Sequence, residues 1–268
     1  MTATDAAIFV PDGHRFVPQD IAVGPWDANA LHGGAPTALL GRVVLGHEPG
    51  DVPWFLARLT VELIRPVPKA PLEVRAEIRR PGKRVQVLDA ALVDEHGTEV
   101  AWARGVRLAQ APNGLDEASV LRRALPELPG PEASELFEME SMIPWRTFIE
   151  AFEMRLAVGA PFRQLGPSAI WSRLRVPLLP GEAVDPLTRA LAIADFPNGA
   201  GNNVPFEQFS YINPDLTVSL HRLPESEWVL LDAAMHPRST GHGTAVGELR
   251  DLAGHLGTSI QSLLLLAR

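Results

Sequence analysis

The chain has 268 residues, no cysteine and a formal net charge of −8, with 46% hydrophobic and 21% charged residues. This composition is typical of globular domains, and its acidic balance excludes the basic surface of a nucleic-acid-binding protein. The lack of cysteine excludes disulfides and thiolate zinc sites. No secretory signal and no long apolar run is visible, so we expect a cytoplasmic protein without a membrane span.

The first half of the chain predicts one helix followed by four antiparallel strands. Residues 36–46 place their apolar side chains on one helical face, and Pro36 suits a first helical turn. The following segments alternate between apolar and polar residues, and Gly82 and Gly97 mark turns between them. The predicted strands are 54–64, 72–78, 85–93 and 99–108.

The second half repeats this pattern after a proline-rich stretch. We predict an N-terminal domain over 1–112, a linker over 113–144 with a short helix near 118–124, and a C-terminal domain over 145–268. The C-terminal domain has a predicted helix at 185–194, and the run NGAGNN at 198–203 is expected to be a loop. Its predicted strands are 148–158, 169–176, 216–220, 228–234, 245–251 and 258–266.

A short internal repeat links the two halves. Residues 59–66 read LTVELIRP and residues 216–223 read LTVSLHRL, an offset of 216 − 59 = 157. At the same offset Gly97 falls on Gly254, in equivalent turns. Antiparallel strands with one helix per unit predict an α+β fold of two tandem units, each with a long helix packed on an antiparallel sheet. Joining the two sheets edge to edge would remove a free strand edge.

Several kinds of active site are missing from the sequence. It has no G-x-S-x-G nucleophile motif and no phosphate-binding P-loop. The eight histidines are scattered and show no metal-ligand spacing. We therefore expect neither a metal nor a cofactor.

Four stretches carry a resemblance to a known family. His32, Gly33 and Gly34 at a helix start, followed by the repeated strands, resemble a hotdog domain, and the duplication resembles a double hotdog. Asp195 at the end of the second helix, INPDLTVSLHR at 212–222 and GTSIQ at 257–261 resemble the acyl-CoA thioesterase II family. The resemblance implies an acyl-CoA substrate and assembly into a homo-oligomer.

The resemblance also implies a set of catalytic residues. In that family an Asp, a Thr or Ser, and a Gln together hold a water for attack on the thioester; by position the Asp is Asp195 and the Gln is Gln261. The position of the Thr or Ser matches Asn213, so this sequence departs from the family pattern there. Either the amide of Asn213 still orients the water, or the activity is altered or lost. Thr217 has the same facing as Asn213 in an alternating strand, so a register slip to Thr217 as a substrate-binding residue stays open.

The helix start is the expected place for the substrate carbonyl or a coenzyme phosphate. Backbone N–H groups at such a start favour negative charge, and His32, Gly33 and Gly34 would let substrate approach the backbone closely. Simpler interpretations remain for each candidate: His32 to Gly34 as a plain helix start, Asp195 as a helix end, Asn213 as a turn residue, Gln261 on an outer face. At the level of function the alternatives are a non-catalytic acyl-CoA or fatty-acyl binding protein and a hotdog hydratase, whose usual Asp and His pair is not found.

Overall fold

The computed structural model describes residues 7–120, 125–138, 144–161 and 164–268. These residues form three α-helices, α1 Gly34–Gly46, α2 Pro186–Ile193 and α3 Pro197–Ala200. Their strands are β1 Phe9–Asp12, β2 Arg15–Pro18, β3 Trp54–Glu62, β4 Leu72–Pro81, β5 Val85–Val93, β6 Glu99–Ala109, β7 Glu135–Phe137, β8 Phe152–Val158, β9 Ser168–Leu174, β10 Phe209–Ile212, β11 Asp215–Leu220, β12 Trp228–Pro237, β13 His242–Asp251 and β14 Gly254–Ala267.

All of these strands belong to one continuous antiparallel sheet. Its order is β1-β2-β4-β5-β6-β3-β11-β14-β13-β12-β9-β8-β7, with β10 paired to the end of β14. The order reads as two similar halves that meet at β3 and β11. The predicted α+β class and the joining of two sheets through an edge strand of each are therefore confirmed, while the limits 1–112 and 145–268 stay a prediction.

The sequence repeat lies at the centre of this sheet. β3 and β11 run antiparallel with Thr60 opposite Thr217, and their Oγ1 atoms are 3.1 Å apart. The two threonines differ by 217 − 60 = 157, which is the repeat offset, so Thr60 faces its own copy in the second unit. Antiparallel pairing of a segment with its own copy relates the central strands by an approximate two-fold axis through this pair.

The two units carry helices of unequal length. α1 has 13 residues, whereas α2 has 8 residues and gives way to the short α3. Pro197 fits this break, because it has no backbone N–H to donate to the carbonyl oxygen of Ile193, four residues before it. The prediction of a long helix in each unit therefore describes the first unit only.

The connection between the units also differs from the prediction. β7 lies within the predicted linker 113–144 and pairs with β8. A 3-10 turn at Glu117–Ser119 occupies the start of the predicted 118–124 helix, and residues 121–124 lie outside the described part. The strand predicted to begin at residue 148 begins at Phe152. A 3-10 turn, Phe148–Ala151, occupies the residues before it, and Thr147 and Glu150 form a capping box at the start of this turn. None of the described helices combines the length and apolar character needed to cross a membrane.

Candidate active site

Asp195 lies where the two units meet. It follows α2 directly, and its side chain is buried against the first turn of α1. A carboxylate at the C-terminal end of its own helix opposes that helix dipole, but here it faces the N-terminus of a second helix, which favours negative charge. Contact with α1 therefore offsets the unfavourable position on α2.

Two side-chain amides donate to one oxygen of Asp195. Nδ2 of Asn213 and Nε2 of Gln261 each lie 2.8 Å from Oδ1 of Asp195. Gln261 is completely buried, because alternation along β14 turns it inward while Ile260 and Ser262 face outward. The structure thus brings together Asp195, Asn213 and Gln261, and it places Gln261 on the inner face of the sheet.

The glycine pair at the start of α1 makes this close approach possible. A Cβ atom on Gly33 would lie 2.6 Å from Oδ2 of Asp195, and one on Gly34 would lie 2.4 Å from the carbonyl oxygen of Ala192. Neither glycine has a positive φ, so space rather than backbone conformation explains them. The helix start can touch Asp195 only because both residues lack a side chain.

His32 closes the other side of the carboxyl group. Its Nδ1 lies 3.2 Å from Oδ2 of Asp195 and accepts a hydrogen bond of 3.1 Å from the Gly34 N–H. Its ring stacks on Phe196 at 4.5 Å between centroids. Burial lowers the pKa of His32 to about 3, so the ring is neutral near pH 7.

Burial also dominates the ionisation of Asp195. Loss of hydration raises its pKa from 3.8 to about 7, and hydrogen bonds from Asn213, Gln261 and the Gly34 N–H oppose that rise. A carboxyl group with a pKa near neutrality is suited to accept a proton from water and to release it again.

Asn198 belongs to the same hydrogen-bond network, although the sequence suggested only a loop at this position. Its backbone N–H donates to Oε1 of Gln261 and its Nδ2 donates to Oδ1 of Asn213, both at 3.2 Å. The half-buried Asn198 lies in α3. The only sequence signal was its place three residues after Asp195, which does not specify its partners.

Thr217 lies on the opposite face of the sheet from this site. It pairs with the exposed Ile260, and cross-strand partners share a face, while its hydroxyl contacts Thr60. The expected common facing of Thr217 and Asn213 is wrong, because β10 ends at Ile212 and β11 begins at Asp215. Alternation does not continue through the intervening Asn213 and Pro214.

The described part of the first unit has no copy of this arrangement. Thr60 pairs with Arg104 and Thr217 with Ile260, so Gly105 is the counterpart of Gln261. A Cβ atom at Gly105 would meet Val44 of α1 at 2.3 Å, so the helix packs directly on this position. The polar cluster therefore belongs to the second unit and is not duplicated.

Within the described residues, no group of three or more His, Asp or Glu side chains is arranged to hold a metal ion.

Comparison with family models covers most of the chain. Residues 22–108 match the model of the acyl-CoA thioesterase N-terminal domain, and residues 123–265 match that of the acyl-CoA thioesterase C-terminal domain. No curated protein matches the sequence at a significant level.

Solved structures show the same fold across the whole chain. A conserved protein with a hot dog fold from Alicyclobacillus acidocaldarius is 19% identical, with a TM-score of 0.75 and coverage of 100% of this chain and 99% of its own. A candidate thioesterase from Novosphingobium aromaticivorans is 23% identical, with a TM-score of 0.71 and coverage of 96% and 98%. An acyl-CoA thioesterase II from Mycobacterium marinum is 17% identical, with a TM-score of 0.61 and coverage of 93% and 96%. The fold is therefore the hotdog fold.

Proposed function

The chain belongs to the acyl-CoA thioesterase family, and we propose that it hydrolyses acyl-CoA thioesters at the cluster around Asp195. The main support for hydrolysis is the carboxyl group of Asp195, which is buried beside a helix start, has a pKa of about 7 and accepts hydrogen bonds from Asn213 and Gln261. In the proposed reaction Asp195 is the general base, and Asn213 and Gln261 orient it and the attacking water.

The proposed hydrolysis has two steps. Water attacks the thioester carbonyl carbon as Asp195 takes one of its protons, a step typically worth about 10²–10⁴-fold in rate. The tetrahedral intermediate then collapses, the C–S bond breaks, and the proton held by Asp195 passes to the departing thiolate. The products are a free acid and coenzyme A.

The first turn of α1 is the proposed site for the negative charge on the carbonyl oxygen. Backbone N–H groups at a helix start point toward such a charge, and one fixed donor typically contributes about 10²–10³ in rate. The lack of side chains on Gly33 and Gly34 lets Asp195 lie against this turn, so the proposed site for the negative charge is next to the proposed general base. His32, Gly33 and Gly34 are thus proposed as substrate-binding residues.

A steady-state assay with acyl-CoAs of increasing chain length tests this proposal. The wild type is expected to release coenzyme A, and Asp195→Asn is expected to lose at least about 10²-fold in kcat, because an amide cannot accept the proton. Wild-type release no faster than that of Asp195→Asn on every acyl-CoA would contradict hydrolysis.

The second candidate function is a non-catalytic acyl-CoA or fatty-acyl binding protein. Two features support it: both amides donate directly to Asp195, and the resemblance assigns Asn213 to the family's hydroxyl position. Calorimetric titration with a non-hydrolysable acyl-CoA thioether distinguishes the two functions, because tight binding without turnover of the matching thioester would select the binding protein. A homo-oligomer, implied by the family resemblance, is part of the proposal, and light scattering tests it. The expected cytoplasmic location is also part of the proposal.

A further inference from the structure

The two amide groups at Asp195 each have an oxygen as well as a nitrogen to place. Rotation of either amide by half a turn would bring its oxygen, in place of its nitrogen, against Oδ1 of Asp195, where two acceptors repel each other. The donor orientation of Asn213 and Gln261 is therefore a condition of the proposed chemistry, and some neighbour has to favour it.

Asn198 contacts the far side of both amides. Its Nδ2 donates to Oδ1 of Asn213 and its backbone N–H donates to Oε1 of Gln261, while both amide nitrogens face Asp195. A donor on one side and an acceptor on the other leave each amide a single satisfied orientation. We infer that Asn198 is a positioning residue that keeps the Asn213 amide oriented as a donor to Asp195; this inference rests on the proposed function.

The two contacts differ in how a substitution affects them. The bond to Gln261 comes from the backbone and persists in any non-proline variant, and Gln261 is further held by a 3.2 Å bond from its Nε2 to the Asp195 carbonyl oxygen. The bond to Asn213 comes from the Asn198 side chain alone. A side-chain substitution at Asn198 therefore acts through Asn213.

This dependence predicts a specific coupling between two positions. A hydroxyl at position 213 rotates freely and can donate to Asp195 without an orienting partner. The Asn198 side chain should then matter in the Asn213 protein and lose its importance in Asn213→Thr. A purely structural role of Asn198 would give the same effect in both backgrounds.

The experiment compares Asn198→Ala, Asn213→Thr and the double variant with the wild type. In the Asn213 background Asn198→Ala is expected to lower kcat by up to about 10²-fold, the scale of a misplaced catalytic group, with KM little changed. In the Asn213→Thr background the same substitution is expected to change kcat less than about twofold. Asn203→Ala, an exposed asparagine three residues past α3, is the matched control and should behave as wild type.

A titration without substrate separates this inference from the proposed function. Carbon NMR of the Asp195 carboxyl group is expected to show a higher midpoint in Asn198→Ala, because loss of an oriented donor disfavours the charged form. The midpoint should not move in the Asn213→Thr background. Asn198→Leu, which keeps a similar side-chain shape, serves the same purpose if Asn198→Ala does not fold.

An unchanged midpoint in Asn198→Ala, or an equal rise in both backgrounds, would overturn the role of Asn198. A wild type that hydrolyses no acyl-CoA would instead overturn the proposed function, and the carboxyl titration would still decide whether Asn198 orients Asn213.

Discussion

The side-chain nitrogen of Asn213 lies 2.8 Å from Oδ1 of Asp195, although 18 residues separate them in the chain. The same oxygen accepts a hydrogen bond from Gln261, so two uncharged donors stabilise one ionised carboxyl group inside the protein. Asn213, which the family resemblance assigns to the hydroxyl position, therefore directs a donor at the carboxylate. This relationship makes the ionisation of Asp195 sensitive to position 213.

Replacing Asn213 is expected to move the pH dependence of the reaction. Asn213→Ala removes a donor to the charged form, so the pKa of Asp195 should rise above about 7 and the acidic limb of kcat/KM should shift to higher pH. Asn213→Thr restores a donor and should keep the limb near the wild-type position. Rate measurements from pH 5 to 9 check this, and a limb at the same pH in the wild type and Asn213→Ala would count against it.

Asp195→Asn is expected to stabilise the fold above neutral pH. The pKa of Asp195 is raised from 3.8 to about 7 by burial, so the unfolded state releases the proton first, and the wild type loses stability as pH rises between these values. The loss reaches about 4 kcal/mol in order of magnitude. The amide that this substitution introduces is uncharged and has no such penalty.

Urea unfolding at pH 4, 6 and 8 measures this effect. The stability gained by Asp195→Asn should be small at pH 4 and larger at pH 8. Asp195→Ala is the control, because it leaves the amides of Asn213 and Gln261 without their acceptor. The cost should be about 1–3 kcal/mol for the completely buried Gln261 and smaller for the half-buried Asn213. An advantage of Asp195→Asn that does not depend on pH would contradict a buried ionisation.

Gly33→Ala is expected to reduce activity more than stability. Its Cβ atom would lie 2.6 Å from Oδ2 of Asp195, so the carboxyl group must move, with up to about 10²-fold loss of kcat. The cost in unfolding free energy should stay near the roughly 1–3 kcal/mol typical of overpacking. Gly46→Ala, at the other end of α1 with nothing within 4 Å of the added atom, should keep full activity. Equal kcat in the two variants would show that contact with α1 does not position Asp195.

Arg107 is expected to be the most important arginine for stability. It is completely buried, and burial lowers its pKa. Its guanidinium group caps the C-terminal end of α1 by donating to the carbonyl oxygens of Val44, Leu45, His47 and Glu48, and it also donates to Oε1 of Gln86. Arg107→Leu would leave these acceptors unpaired, at a cost of about 3 kcal/mol or more.

Thermal unfolding of Arg107→Leu beside Arg58→Leu checks this difference. Arg58 is exposed on the neighbouring strand β3, where a substitution should change stability by no more than about 0.5 kcal/mol. Similar unfolding temperatures for the two variants would contradict a capping role for Arg107.

The sequence alone determined ten of the fourteen described strands, the class of fold and the duplication, and it missed the short strands β1, β2, β7 and β10. Period-two alternation, glycine turns and the LTV repeats at an offset of 157 are local signals, and the pairing of Thr60 with Thr217 agrees with them. The sequence also indicated Asp195, Asn213 and Gln261 as site residues, but through a family resemblance and not through any local pattern. Alternation cannot say which face of a strand is buried.

Only the tertiary structure decided which of these residues meet. Asp195 contacts Gln261, 66 residues away, and faces the first turn of a helix from the other half of the chain, and such contacts depend on how whole elements pack. The break at Pro214 turned Asn213 inward and left Thr217 on the outer face. The role of Asn198 follows from the same cause, because the partners of a hydrogen-bonding side chain are chosen by the three-dimensional arrangement of distant segments rather than by its neighbours in sequence.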